Sequence, residues 1–177
     1  MKRIRYSVAM SLDGYVAGPK GESDWIVMDP EMDFRGLTAQ FDTLLVGRRT
    51  FETMARAGRT TMPGMKTFVF STTLRPEDYP KVTIIRENAE HTVAVLRAES
   101  HKDIWLFGGG ELFRWLLQAG LVDSVEVAVE SVLLGGGIPL LPAPSERKKL
   151  QLMNHKVYKT GIVRLEYIVS GPAAEFR

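Results

Sequence analysis

Residues Ile104-Trp105-Leu106-Phe107-Gly108-Gly109-Gly110-Glu111-Leu112-Phe113-Arg114-Trp115-Leu116-Leu117 run a short apolar strand into an amphipathic helix through three consecutive glycines. No side chain stands at the junction. The first N–H groups of a helix lack partners within it, and the positive end of its dipole lies there. Where Cβ atoms are missing, a phosphate can come against the main chain itself. The junction therefore reads as an anion site, although the same residues also suit a plain turn whose glycines serve only their dihedrals.

Familiar glycine fingerprints do not account for it. The dinucleotide pattern would need a third glycine where Phe113 stands, a place early in the chain and an acidic residue closing a following strand. The sequence has no G-x-x-x-x-G-K-[ST], H-E-x-x-H or G-x-S-x-G, which removes the P-loop, the zincin helix and the nucleophile elbow. Any nucleotide site is of another kind.

Working outward, the 177 residues and 45% hydrophobic content suit one domain with a core of its own. We expect it over residues 1–170, with a frayed tail at 171–177. The absence of cysteine excludes a disulfide framework, a thiolate metal site and a cysteine nucleophile, and makes the cytoplasm the default location. No metal site is expected. The start, Met1-Lys2-Arg3-Ile4-Arg5-Tyr6, leads into a strand without a long apolar region, so neither export nor a membrane span is expected. Net charge is +2, from 23 basic and 21 acidic residues, and gives no field that points to nucleic acid. The run Arg147-Lys148-Lys149 reads as a solvated loop.

Short apolar runs at Ile4–Met10, Thr43–Val46, Thr67–Phe70, Val82–Ile85 and Ile104–Phe107 are what strands buried on both faces look like. Helices are expected between most of them. Asp29-Pro30 suggests an N-cap and a first helical proline, with Phe34, Leu37 and Phe41 on one helical face. Arg48 to Ala55 and Ala89 to Ala98 suggest two more, the latter after a cap at Asn88. The helix after the glycines should bury Phe113, Leu116 and Leu117 and stop at Gly120. From Val125 onward the period becomes two, and Leu150–Tyr158 and Ile162–Val169 flank Lys159-Thr160-Gly161 as an antiparallel hairpin. The fold class expected is α/β: a three-layer α-β-α domain with a mixed, mostly parallel central sheet of about eight strands, ending in that hairpin.

Three loops at the carboxyl ends of candidate parallel strands carry groups suited to anions: Gly47-Arg48-Arg49-Thr50, Ser71-Thr72-Thr73 and Gly108-Gly109-Gly110. Ligands sit at that edge of open α/β sheets. Arg48 and Arg49 open a helix, against its dipole, and a bound phosphate would resolve the conflict. Hydroxyls of Thr50, Ser71 and Thr72 can donate to phosphate or simply cap local turns.

Read in order, Ser7-Val8-Ala9-Met10-Ser11-Leu12-Asp13-Gly14-Tyr15-Val16-Ala17-Gly18, Leu45-Val46-Gly47-Arg48-Arg49-Thr50-Phe51-Glu52 and Leu106-Phe107-Gly108-Gly109-Gly110-Glu111-Leu112 resemble the dihydrofolate reductase-like superfamily. Within it, the nearest likeness is to the reductase domain of bacterial riboflavin biosynthesis, and it covers nearly the whole chain. The resemblance implies an NADPH-dependent reductase of a small heterocycle or sugar carbonyl, most like 5-amino-6-(5-phosphoribosylamino)uracil reductase. It would place Gly47, Arg48, Arg49, Thr50, Ser71 and Thr72 at the adenosine 2′-phosphate and its neighbouring phosphate. Gly108, Gly109, Gly110, Glu111 and Leu112 would hold the pyrophosphate, and Ala9 and Val16 would line the nicotinamide. It also implies a cis peptide at Gly108–Gly109 and a homodimer, for which the valine-rich stretch Val125–Leu134 offers either a subunit surface or an internal strand.

Hydride chemistry asks the protein for position, a dry pocket and a proton source. The family's single carboxylate falls near Glu31 or Asp33, with Trp25 on the loop before them. Either acid also suits an ordinary first helical turn; Asp13 is a further catalytic candidate that equally suits the polar position of a turn. Arg35, Arg56 and Arg59 are candidates for a substrate phosphate. Folate reductases carry a threonine after the glycine-run helix, but Leu121 to Pro142 contains none, so folate is the weaker substrate. A cofactor-binding module without catalysis is the remaining alternative. The zinc deaminase pattern of His-x-Glu with Pro-Cys-x-x-Cys does not occur.

Overall fold

Eight strands of the computed structural model, which describes residues 2–170, form one sheet. They are β1 (Ile4–Ser11), β3 (Phe41–Gly47), β4 (Lys66–Phe70), β5 (Thr83–Ile85), β6 (Asp103–Gly108), β7 (Ser124–Glu130), β9 (Leu150–Val157) and β10 (Val163–Val169). Their order is β5-β4-β3-β6-β1-β7-β10-β9. The first six are parallel; β10 runs antiparallel to β7, and β9 antiparallel to β10. A two-stranded ribbon of β2 (Tyr15–Ala17) and β8 (Ile138–Pro139) stands beside the sheet. The expected tail, 171–177, lies outside the described residues.

Helices α1 (Phe34–Thr38), α2 (Arg48–Arg56), α3 (Ala89–Glu99) and α4 (Gly110–Gln118) cover the two faces. Leu44, Leu45 and Val46 on β3 are all fully buried, because successive side chains go to opposite faces and both faces are roofed. On one face Ile4, Tyr6, Leu106, Val125 and Val127 pack with Val93 and Leu96 of α3 and Leu112, Phe113 and Leu116 of α4. On the other, Leu44, Val46, Val69 and Trp105 pack with Phe51 and Met54 of α2. Each such aliphatic or aromatic side chain contributes about 1.5–3 kcal/mol when fully buried.

Asp29 does not start a helix. Its carboxylate accepts from Glu31 N (2.7 Å), Thr160 N (3.2 Å) and Thr160 Oγ1 (2.8 Å), tying the loop to the β9–β10 hairpin. The helix is only five residues long and is capped by Asp33, whose Oδ1 accepts from Gly36 N at 2.7 Å. Phe41 begins β3 instead of closing a helical face, because its ring stacks on Trp105 with centroids 5.3 Å apart. Asn88 precedes α3 in the left-handed region (φ 52°) but makes no side-chain cap. Val125 and Val127 face the core on a strand paired on both sides, so the part of this stretch up to Glu130 is an internal strand, while Leu133 beyond it is exposed.

Candidate active site

β3, β4 and β6 are neighbours, with Gly47 opposite Phe70 and Val46 opposite Gly108. Parallel pairing brings the three anion-suited loops to one edge. Helix α2 begins at Arg48 after Gly47, and α4 begins at Gly110 after Gly109; neither start has a side-chain cap. The two starts touch, since a Cβ on Gly47 would lie 3.3 Å from Gly109 N. A Cβ on Gly109 would come 2.9 Å from Thr50 Oγ1, and one on Gly110 would come 2.9 Å from the Pro142 ring. Close approach, as well as the positive φ of Gly108 (145°), thus explains these glycines. The Gly108–Gly109 peptide is cis, as the resemblance implies.

A cleft of about 1500 Å³ opens along this edge. Its walls include Ala9, Val16, Gly47 to Thr50, Ser71, Thr72 and Gly108 to Leu112, so the structure brings to one surface all the residues that the sequence offers as candidates for a cofactor. Arg48 is shared with Glu52, to which Nη1 donates at 2.9 and 3.1 Å. Ser71 Oγ accepts from Thr73 N and Leu74 N, which is the turn-capping role. Glu111 pairs with Arg114 at 2.6 Å. Arg86, which sequence reading passed over, also lines the cleft and donates to Thr72 O at 2.8 Å. It shares no motif with that loop; only the pairing of β4 with β5 brings it near.

The expected acids are dispersed. Asp33 lines the cleft while capping α1. Glu31 is outside the cleft walls and pairs with Lys159 at 2.6 Å, with side-chain exposures of 48% and 87%. Asp13 accepts from Leu134 N and Gly135 N (3.0 and 2.7 Å) and holds that loop. A hydrogen bond with Ser11, and then the one from Leu134 N, keep its carboxyl below the usual value. Trp25 Nε1 donates to Glu22 O at 3.1 Å, and the indole is not part of the cleft wall. Arg56 and Arg59 line the cleft, but Arg35 does not.

Beyond Ala9 the floor is polar. Ser7, Ala9 and Ser11 on β1 stand opposite Glu126, Ala128 and Glu130 on β7. Arg5 takes both oxygens of Glu126, Nε to Oε1 at 2.6 Å and Nη2 to Oε2 at 2.8 Å, and Arg164 approaches it at 3.5 Å. Glu130 is 3% exposed, and Val27 N approaches its Oε2 at 3.4 Å. Burial pushes its carboxyl above the usual value. Alternation of Glu126, Ala128 and Glu130 reads as a solvent face in sequence; here both glutamates are buried, Glu126 under Arg5 and Glu130 beside the loop at Val27.

Among the described residues no cluster of His, Asp or Glu is placed to hold a metal ion, and no helix is long and apolar enough to cross a membrane.

Comparison with known proteins agrees with this geometry. The model of the RibD C-terminal domain matches residues 2–164. An uncharacterized protein of Bacillus subtilis, YyaP, is 32% identical over 182 residues, covering 96% of each chain. The crystal structure of a putative riboflavin biosynthesis protein from Shewanella superposes with a TM-score of 0.82 at 25% identity, over 97% of this chain and 100% of that one. A dihydrofolate reductase of Enterococcus faecalis, solved with NADP(H), has a TM-score of 0.70 at 19% identity, over 96% of this chain and 97% of that one, a likeness of fold. With these three surfaces on one edge of a mixed sheet, and the family model spanning nearly all of it, the chain belongs to the RibD C-terminal domain family.

Proposed function

We propose that this protein is a reductase that takes its electrons from NADPH and acts on a small heterocycle or sugar carbonyl, most like 5-amino-6-(5-phosphoribosylamino)uracil. The observation that carries this reading is the contact between the two uncapped helix starts at Gly47 and Gly109. Two sets of backbone N–H groups and two dipole ends then face one cleft, an arrangement suited to the phosphates of a dinucleotide. Glycine leaves no Cβ between them, so the residues present fit the cofactor. Thr50, Arg48 and Arg49 would hold its phosphates, Arg86 and Thr72 would flank the 2′-phosphate, and Ala9 and Val16 would back the ring.

When bound, the cofactor supplies a hydride. The chain's own residues orient, exclude water and handle the proton. The cleft volume of about 1500 Å³ exceeds the range of about 300–1,000 Å³ that one drug-sized ligand occupies, leaving room for cofactor and substrate together. Arg56 and Arg59 on its wall suit a substrate phosphate.

The test is to mix the protein with NADPH and 5-amino-6-(5-phosphoribosylamino)uracil and follow the dihydronicotinamide absorbance. Oxidation that depends on the pyrimidine supports the reading. Binding of NADPH without oxidation by this pyrimidine or by other small carbonyls would reduce the protein to a cofactor-binding module.

A further inference from the structure

Two glutamates on one strand face the floor of the cleft in opposite surroundings. Glu126 is matched by Arg5 through two hydrogen bonds and approached by Arg164. Glu130, two pairs of pleats further along β7, has no cation within ion-pair distance among the described residues. Among the described residues its carboxyl accepts one hydrogen bond, the long one from Val27 N. Both line the cleft. Ala128 lies between them and pairs with Ala9, the residue that would back the nicotinamide. With strands about 4.8 Å apart and a rise of about 3.3 Å per residue, the Glu130 Cα is roughly 8 Å from that of Ala9. Both residues line the cleft, so a ring backed by Ala9 would have the Glu130 side chain to its side.

We propose that Glu130 is the proton donor of the reduction, with Glu126 as a fixed anion four residues away on the same strand. The proposal rests on the reductase reading given above. Burial with no cation nearby raises the Glu130 carboxyl and so favours its protonated form, while Glu126 is held by the Arg5 guanidinium through two hydrogen bonds. As hydride arrives at the carbon of a C=O or C=N group, the π bond breaks toward the heteroatom. That atom takes the proton from the Glu130 carboxyl, and the carboxylate regains one from water. Charged groups around Glu130 leave this possible. Arg164, across on β10, is engaged by Glu126 and Glu166; Asp33 is engaged at the start of α1; β1 offers only Ser11 opposite it.

Two measurements decide. First, the Glu130 carboxyl resonance of isotope-labelled protein, assigned through bonds, is followed against pH without substrate. A carboxyl still protonated near neutral pH supports the proposal, and one that titrates at the ordinary glutamate value of about 4.3 overturns it. Second, Glu130→Gln is compared with wild type. Expected are a fall in kcat of about a hundredfold or more, unchanged quenching of tryptophan emission by NADPH and loss of the alkaline limb of the pH–rate profile. A kcat within about threefold of wild type, where one hydrogen bond more or less would leave it, overturns the proposal. If wild type reduces neither the pyrimidine nor other carbonyls, the reductase reading fails on its own, while the titration still judges Glu130.

Discussion

The two ends of the cleft are built from different materials. At the glycine rim, main chain does the work: two helix starts meet, and side chains are excluded where Gly109 and Gly110 pack against Thr50 and Pro142. At the floor, side chains do it, through the Arg5–Glu126–Arg164 chain and Glu130. Backbone sites tolerate little variation in residue type and leave short motifs. Side-chain sites on strands depend on which elements happen to cover them, and leave almost no local trace.

Breaking the floor should cost the most stability. Arg5→Met takes the two-pronged partner from the Glu126 carboxylate, of which 5% of the side chain is exposed, and leaves it Ser124 and the more distant Arg164; removal of one partner from a buried pair costs about 3–5 kcal/mol. Urea unfolding would show it as a lower midpoint at constant slope. A loss under about 1 kcal/mol would mean that water reaches this network.

The rim should show its largest effect in binding. Arg48→Ala with Arg49→Ala should weaken NADPH by about ten- to a hundredfold, as charge-assisted hydrogen bonds are worth about 1.5–3 kcal/mol. NADH, which lacks the extra phosphate, should lose much less. Calorimetry with both cofactors separates the cases, and equal losses would remove these arginines from the 2′-phosphate.

Sequence was informative in proportion to this contrast. The strands, the helices α2 and α4 and all three loops follow from apolar runs and glycines; the order of the strands does not, because it is set by pairing between segments far apart in the chain. The polar floor does not, because Glu126 and Glu130 alternate with valines as solvent-facing residues would. Counting back from Gly47 favours Glu31 over Asp33, yet spacing through an irregular loop says nothing of direction. Residues 29–33 form no helix, so the periodicity that would orient either acid is missing. Arg5 was hidden in an ordinary charged start, and its partner lies 121 residues away.

A smaller effect is expected where loop and hairpin join. Thr160→Val removes one hydrogen bond to Asp29, worth about 1 kcal/mol. The Asp29 carboxyl is held below its usual value by the Thr160 hydroxyl first and the Glu31 N–H next. A depressed folded value stabilises above the unfolded pKa of about 3.9, and the gain is lost as pH falls through the folded value. The variant should therefore show a flatter decline of stability in acid, read from melting curves. An acid limb identical to wild type would show that this tether contributes nothing.

The smallest effect belongs to Glu31. As an exposed ion pair with Lys159, it should contribute at most about 0.5 kcal/mol. Glu31→Gln should leave turnover within about twofold, the same energy expressed as a rate. A hundredfold loss would return the proton source to the site that spacing favoured.

The central claim is that the paired helix starts grip a dinucleotide. Amide shifts of labelled protein titrated with NADPH test it directly. The largest changes should fall on Arg48, Arg49 and Thr50 together with Gly110, Glu111 and Leu112. Saturating NADPH that leaves those six amides unmoved, or moves amides only elsewhere, would contradict it.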